Sequence, residues 1–349
     1  MTAEPAPDLE AAWYGLPRAY AMPPVSGQLR SEPADFVVRE DLGVPPDGDG
    51  EHLWLRIRKQ DWTTPAVAQW LAQALDRPQR DVSWAGLKDR HAITEQWFGV
   101  RAPGVVSLPA CLPDGLELLE WGRNSRKLRT GMLRGNRFTL TLRQCRGDRQ
   151  ALGARLAAIA RDGVPNYFGP QRFGRGGGNL AGAWRMFHGR RERNRERRGW
   201  YLSAGRSFLF NRVVAARVDD ASWCRPLPGD RLTFTTSASL FPEASLTAGD
   251  MRLVRGEIHP TGPLPGRAGA RPDGEAARLE ETVLGYWPQA CQGLERMGVD
   301  SARRALRLTV AQLHWYWQGD SLIVGFWLPA GAYATAVMRE CVDASDTGG

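Results

Sequence analysis

Alternation of apolar and polar positions predicts β-strands near both ends of the chain. In "EHLWLRIRKQ" Leu53, Leu55 and Ile57 fall on every second position, and "NRFTLTLRQ" repeats this period of two. Other strand-like segments are "DFVVRED", "DVSWAGL", "ITEQWFGVR", "LELLEW", "LRLTV", "LHWYW" and "SLIVGFWL". Strands therefore make up much of the first 163 residues and return after residue 304.

Spacings of three and four residues predict helices between these strands. "TTPAVAQWLAQALDRP" has one apolar face, with Thr64 as the N-cap and Pro65 as the first helical residue. "DRQALGARLAAIARDGV" is predicted to end at Gly163, and residues 276–304 and "AYATAVMRECV" are also helix-prone. The order strand, helix, strand, strand, helix predicts an α+β sheet with helices on one face.

The middle of the chain has a different composition. Residues 164–200 contain a glycine-rich aromatic segment followed by an arginine-rich one, and residues 219–275 are rich in Pro, Gly, Asp and Thr. Because the two ends are alike and the middle differs, we predict that one domain is inserted into another.

Length and charge narrow the class of protein. The 349 residues are 42% hydrophobic, enough for one large or two smaller cores, and the net charge of +8 with a pI of about 9.6 favours a nucleic-acid partner. Lys59, Lys88 and Lys127 are the only lysines, so 43 of the 46 basic residues are arginine. The guanidinium fork suits phosphate oxygens.

Cofactor and export signatures are missing from the sequence. Five scattered cysteines predict reduced, mostly buried thiols, and five scattered histidines give no zinc ligand set. No GxxxxGK[ST], GxGxxG, GxSxG or HExxH motif occurs, so we expect no metal or other cofactor. The first 24 residues do not resemble a signal peptide and no apolar run is long enough to span a membrane, so we expect a cytoplasmic protein.

The segment "GLKDRHAITEQWFGV" places Asp89 between Lys88 and Arg90. One interpretation is a salt-bridged turn after a strand, with surface ion pairs worth about 0–1 kcal/mol each. The other is a catalytic carboxylate kept ionised by its neighbours, acting as nucleophile or base. Glu95 is the other acid in this segment, and spacing does not fix its position.

Two basic segments also have two interpretations each. In "NYFGPQRFGRGGGN" the aromatics Tyr167, Phe168 and Phe173 are interleaved with Arg172 and Arg175, which suits base stacking or a loop anchored in a core. "GRRERNRERRG" is either a solvated basic segment or a phosphate-binding one.

Several motifs occur together and in order: "AGLKDRHAITEQWFGV", "RGNRFTL", "VPNYFGPQRFGRGGGNL", "WYLSAGRSFLFNRVVAAR" and "FWLPAGAYATAVMRE". Together they resemble the bacterial form of the TruD family of tRNA pseudouridine synthases, from "PADFVVREDLG" to the C-terminus. The resemblance implies a discontinuous catalytic domain, residues 1–163 and 305–349, with a mixed or antiparallel sheet. It also implies an inserted α/β TRUD domain at residues 164–304.

The resemblance further implies an isomerase that converts uridine to pseudouridine at position 13 of tRNA without a cofactor. tRNA is then the partner, and a monomer is the expectation. The family's catalytic aspartate corresponds to Asp89, supported by Lys88. Its substrate contacts correspond to Phe36, Asn136, Phe138 and Tyr333, and Tyr333 replaces a phenylalanine, which adds a hydroxyl that can form a hydrogen bond.

The resemblance does not fix the chemical role of Asp89. The carboxylate can attack the anomeric ribose carbon, attack carbon 6 of the base, or remove a sugar proton. A flipped-out uridine costs a few kcal/mol, and stacking on one ring such as Tyr333 or Phe36 returns about 1–3 kcal/mol. Three alternatives are an RNA-binding or RNA-remodelling protein without chemistry, a hydrolase that uses Asp89 to cleave off the base or the sugar, and a structural interaction protein.

Overall fold

The computed structural model describes residues 4–109 and 111–346. The two ends of the predicted catalytic domain, residues 1–3 and 347–349, lie outside this range. The strands are β1 (Val25–Leu29), β2 (Phe36–Asp41), β3 (His52–Lys59), β4 (Val82–Trp84), β5 (Ile93–Arg101), β6 (Leu116–Asn124), β7 (Gly135–Gly147), β8 (Val164–Pro165), β9 (Arg231–Phe234), β10 (Ser237–Pro242), β11 (Ile258–Leu264), β12 (Ala302–Ala305), β13 (Arg307–Leu308), β14 (Ala311–Gln318), β15 (Ser321–Pro329) and β16 (Asp343–Asp346). The helices are α1 (Thr64–Ala74), α2 (Arg149–Asp162), α3 (Gly178–Phe187), α4 (Arg195–Asp219), α5 (Met251–Val254), α6 (Gly274–Gly285), α7 (Pro288–Arg296) and α8 (Ala334–Cys341).

The chain divides into two compact units. The sheet unit comprises the described residues of Pro24–Leu156, Val310–Ala332 and Val342–Gly349. The helical unit comprises those of Met1–Pro23, Ala157–Thr309 and Tyr333–Cys341. The assignment of one catalytic and one inserted domain stays a prediction.

A mixed sheet dominates the sheet unit, as the sequence predicted. Its strand order is β14-β15-β7-β2-β5-β3-β6, with β1 added to β7 and β4 added to β5. β2 runs parallel to β5, and β1 runs parallel to β16, whereas the other pairs are antiparallel. Strands from both ends of the chain therefore form one sheet, and the α+β fold class is confirmed.

Helix α1 covers the apolar side of β3. Leu53, Leu55 and Ile57 are buried in one cluster with Val67 and Leu71 of this helix, as their spacings predicted. The predicted N-cap is wrong by one residue. The Oγ1 atom of Thr63 accepts the backbone N–H of Ala66 at 3.3 Å, so Thr64 is the first helical residue.

The core of the helical unit is aromatic. Rings of Trp184, Phe208 and Trp287 meet edge to face, with centroids 4.7–5.7 Å apart. Helix α4 supplies much of this core and was not predicted, because its arginine-rich first turns mask the later apolar spacing. Gly205 lets α4 approach α3 closely, since a Cβ atom there would lie 2.6 Å from the Phe187 ring.

Two other expectations concern cysteines and membranes. All five cysteines are free, but only Cys341 is buried and Cys111 is exposed, so the expectation of mostly buried thiols was wrong. Within residues 4–109 and 111–346, no helix combines the length and the apolar character needed to cross a membrane.

The end of α2 supports a first prediction. Gly163 has a φ of +75°, and a Cβ atom there would lie 2.3 Å from the Leu308 carbonyl oxygen. We expect Gly163→Ala to lower the free energy of unfolding by about 1–3 kcal/mol, measured by thermal or urea unfolding. Gly153→Ala in the same helix is the control, because nothing lies within 4 Å of the added atom. We expect this control to keep or raise stability, by up to about 1 kcal/mol, and equal losses in both variants would contradict the packing argument.

Candidate active site

Asp89 lies in a short loop between β4 and β5, and its side chain is 36% exposed. Its Oδ1 atom accepts the backbone N–H of His91 at 3.1 Å. Its Oδ2 atom lies 3.3 Å from Nη1 of Arg30, a residue that follows β1 directly. Arg30 has a φ of +60°, a strained conformation for a residue other than glycine, and such strain tends to occur at functional sites.

The cations next to Asp89 in sequence have other partners. Nζ of Lys88 lies 2.5 Å from Oε1 of Glu40, and Nε of Arg90 donates to the Asp61 carbonyl at 3.1 Å. The interpretation that these two neighbours pair with Asp89 is therefore wrong, and Arg30 takes that place. The role of Lys88 toward substrate stays a prediction.

A buried lysine fixes the backbone of Asp89. Lys59 has no exposed surface, and its Nζ atom donates to the carbonyls of Asp89 at 2.7 Å and Trp62 at 2.8 Å. Burial lowers the pKa of Lys59 to about 8, although attraction to Asp89 opposes this shift. Two of the three lysines in the chain thus lie beside the Asp89 loop.

Neutral hydrogen bonds hold the other side of this loop. The Thr64 hydroxyl donates to Oε1 of Gln96 at 2.9 Å and accepts the backbone N–H of Lys88 at 3.1 Å. The Gln96 amide in turn donates to the carbonyl of Gly86 at 2.5 Å. The first residue of α1 and the middle of β5 therefore position the loop together.

The carboxylates of Glu40 and Glu95 lie near the loop, and each is paired with a cation. Oε2 of Glu40 accepts the backbone N–H of Trp97 at 2.8 Å, and burial raises the pKa of Glu40 while Lys88 opposes the shift. Glu95 is also buried and forms ion pairs with three arginines, Arg39, Arg56 and Arg58. Burial acts to raise the pKa of Glu95, but hydrogen bonds from Arg39 and Arg56 hold it below its ordinary value. Asp89 is therefore the solvent-accessible acid of its motif.

Asn136 lies opposite Glu40 in the pairing of β7 with β2. Its Oδ1 atom is buried and has no hydrogen-bond partner among the described residues. A buried acceptor without a donor costs about 1–3 kcal/mol, so this atom is a candidate to accept a hydrogen bond from a ligand.

Phe36 and Phe138 contact each other on the same pair of strands. Their ring centroids are 6.3 Å apart, and the guanidinium of Arg30 lies 4.2 Å above the centroid of Phe36. The rings are only 6% and 7% exposed. Phe36 therefore packs against Arg30, and its contact with the substrate stays a prediction.

Tyr333 lies in the helical unit. Its hydroxyl accepts a hydrogen bond from Nε of Arg172 at 2.8 Å, and its ring meets Phe168 at 5.8 Å. The structure thus gathers Asp89, Lys88, Phe36, Asn136 and Phe138 in the sheet unit and places Tyr333 in the other unit.

The glycine-rich aromatic segment is an anchored loop. Tyr167 and Phe173 are fully buried in the core of the helical unit, and Phe168 is 6% exposed. Base stacking on these rings, one of the two interpretations of the sequence, does not fit this burial.

Comparison with known proteins shows the family of this chain. The family model for tRNA pseudouridine synthase D (TruD) matches residues 17–181 and 192–341. Proteins called tRNA pseudouridine synthase D are 45% identical over 330 residues in Aeromonas salmonicida (strain A449), covering 94% of each chain, and 46% identical over 333 residues in Methylococcus capsulatus, again covering 94% of each. A solved structure from Methanosarcina mazei has the same fold, with a TM-score of 0.71, 21% identity, and 97% and 98% of the two chains covered.

These matches identify a class of RNA-modifying enzymes that shares this α+β fold. The chain belongs to the tRNA pseudouridine synthase D (TruD) family.

The three lysines allow a matched test of the Asp89 loop. Lys59→Met removes the donor to two carbonyls, and a buried acceptor left unpaired costs about 1–3 kcal/mol. We expect a lower unfolding midpoint and faster amide hydrogen exchange in residues 85–92. Lys127→Met is the control, because Lys127 is exposed. Unchanged exchange in Lys59→Met would show that Lys59 does not position the loop.

Proposed function

We propose that this chain isomerises uridine to pseudouridine at position 13 of tRNA, with Asp89 as the essential carboxylate. The observation that carries the proposal is the Asp89 loop, in which an accessible acid is fixed by a buried lysine and paired with a distant arginine. Membership of the TruD family supports the same reaction.

The reaction moves the ribose from one atom of uracil to another. The bond from N1 to the anomeric carbon breaks, the uracil turns, and a bond from carbon 5 to the same ribose carbon forms. Carbon 5 loses a proton and N1 gains one, so atoms and electrons balance without an added reactant. Asp89 serves as the nucleophile or the base in this sequence.

A uridine in a folded tRNA must leave its stack to reach Asp89, at a cost of a few kcal/mol. The detached uracil then has to be held while it turns. Asn136 and Phe138 supply a buried acceptor and an aromatic edge for this, and the N3–H group of uracil is a suitable donor to Asn136. Tyr333 is the proposed aromatic contact for the flipped nucleotide, with its hydroxyl oriented by Arg172.

The remaining features of the proposal follow from this role. Residues 1–163 and 305–349 form the catalytic domain, and residues 164–304 form the inserted TRUD domain. The partner is tRNA, and the enzyme works as a monomer in the cytoplasm. Lys88 contributes through Glu40 of β2 and not by direct contact with Asp89.

The role of Asp89 is tested with tRNA that carries tritium at carbon 5 of uridine. Pseudouridine formation releases this tritium to water, so release measures turnover directly. We expect Asp89→Asn to lower the single-turnover rate by at least about 10²–10⁴-fold, the range for loss of an acid–base group. tRNA affinity and the unfolding midpoint should stay close to those of the wild type.

Asp61→Asn is the matched control. Asp61 is an exposed acid in the neighbouring loop, and its φ of +61° suits asparagine. We expect normal tritium release from this variant. Full activity of Asp89→Asn, or loss of its folding, would instead support a purely structural ion pair with Arg30.

A second variant separates stability from activity in the uracil pocket. Asn136→Leu removes a buried acceptor that has no donor among the described residues, so the unfolding midpoint should stay constant or rise. The rate of the chemical step should fall about tenfold or more, as for a lost hydrogen bond of roughly 1.5 kcal/mol. A variant with wild-type tritium release would remove Asn136 from the substrate contacts.

A further inference from the structure

We infer that a basic groove on the helical unit binds the phosphate backbone of the tRNA. The groove lies where the end of α3, the start of α4 and α7 meet, and it is defined by Arg190, Arg191, Arg198 and Arg296. The inference rests on the proposed function for the identity of the RNA.

The groove has the size and lining expected for a polyanion. It encloses about 1030 Å³, far more than a single phosphate group needs. Besides the four arginines, its polar lining includes His188, Gln289 and Gln292, whereas Glu192 is its one acid close to the arginines. The Oε1 atom of Glu192 accepts the backbone N–H of Asn194 at 2.8 Å.

Two of the arginines are held in place without losing their charge. Nη2 of Arg296 donates to the Phe187 carbonyl at 2.8 Å, and Nη2 of Arg198 donates to the Met297 carbonyl at 3.1 Å. A neutral carbonyl uses one of the five guanidinium N–H donors and leaves the rest for another acceptor. The two side chains are therefore pre-positioned cations.

Ion pairing separates these arginines from many others in the chain. Arg39, Arg101 and Arg143 are at least a third exposed and each pairs with a carboxylate. Within the part of the chain that the structure describes, none of the four groove arginines forms an ion pair. The positive charge of the groove is therefore uncompensated and available to an external anion.

The first turn of α4 contains arginines at positions where they do not stabilise the helix. Its first four residues are Arg195, Glu196, Arg197 and Arg198. Cations near a helix N-terminus oppose the helix dipole by about 0.3–1 kcal/mol each, and acids are favoured there. These arginines act against local stability and lie next to a groove whose arginines form no ion pair among the described residues, which indicates selection for an anionic ligand.

RNA is the polyanion that the proposed function supplies. Phosphates are spaced along a backbone, and several guanidiniums spread over two helices and a loop can contact more than one of them. The groove then contributes to affinity for the whole tRNA and not to the reaction at uridine.

A matched pair of triple variants tests the groove. The groove variant replaces Arg190, Arg191 and Arg296 with glutamine, and the control variant replaces Arg225, Arg271 and Arg278, which are exposed arginines of the same unit outside the groove. Both variants remove three positive charges, so a simple change in net charge affects them equally. The measurement is the Kd for unmodified tRNA between 50 and 200 mM salt.

We expect the groove variant to bind tRNA at least about tenfold more weakly and to reduce the slope of log K against log salt by about 2, since each lost phosphate contact removes roughly 0.7–0.9. The control variant should match the wild type. At saturating tRNA the groove variant should keep the wild-type rate of tritium release, with a raised KM.

Two results would contradict phosphate binding by the groove: equal salt slopes for the two variants, or a lowered rate of tritium release with unchanged KM. Binding is measured without turnover, so this outcome is independent of the chemistry. The wild type could form no pseudouridine while the groove variant, and not the control variant, loses affinity for tRNA. In that case the groove is still the tRNA-binding site and the proposed activity is wrong.

Discussion

The backbone of Asp89 is held by a charge that is expensive to bury. Lys59 has no exposed surface, and its ammonium group donates to the Asp89 carbonyl at 2.7 Å. A buried cation is tolerated only when hydrogen bonds and opposite charges offset its lost hydration, and the lowered pKa of about 8 records what remains of that cost. From β3 this one ammonium group reaches the carbonyls of both Trp62 and Asp89, so it ties the Asp89 loop to the sheet.

Other buried charges beneath the site are paired in the same way. Glu40 binds Lys88, and Glu95 binds three arginines on neighbouring strands. Asp89 differs from these acids, because its side chain is 36% exposed and its one ion pair among the described residues is with Arg30. The groove of the helical unit shows the opposite arrangement, since its four arginines form no ion pair with any acid that the structure describes. The two arrangements suit two tasks. Paired charges hold the Asp89 loop in a fixed position for the reaction, whereas arginines without an acidic partner can bind the phosphates of the RNA.

Local patterns in the sequence were enough to predict β2 to β7, β14 and β15 of the sheet unit, helix α1 and the end of α2, because periodicity and capping act over a few residues. The short strands β1 and β16 were not predicted. The long helix α4 was missed, since arginines fill its first turns. The resemblance to a family predicted Asp89, Phe36, Asn136 and Phe138 as site residues, and the four lie in the same unit of the structure. Arg30 and Glu40 could not be assigned to the site, because their contacts with Asp89 and Lys88 join residues 59 and 48 positions apart. One feature of the sequence could have pointed to Lys59. It is one of three lysines in a chain where nearly every other cation is arginine.

We propose that this chain carries out the isomerisation itself at one defined uridine. The most direct measurement is nucleotide-resolution mapping of pseudouridine in unmodified tRNA after incubation with the purified protein alone. We expect one new pseudouridine, at position 13, with no free uracil released and no added cofactor. Unchanged uridine at that position despite tight tRNA binding would contradict it and favour an RNA-binding protein, and release of free uracil would point to a hydrolase.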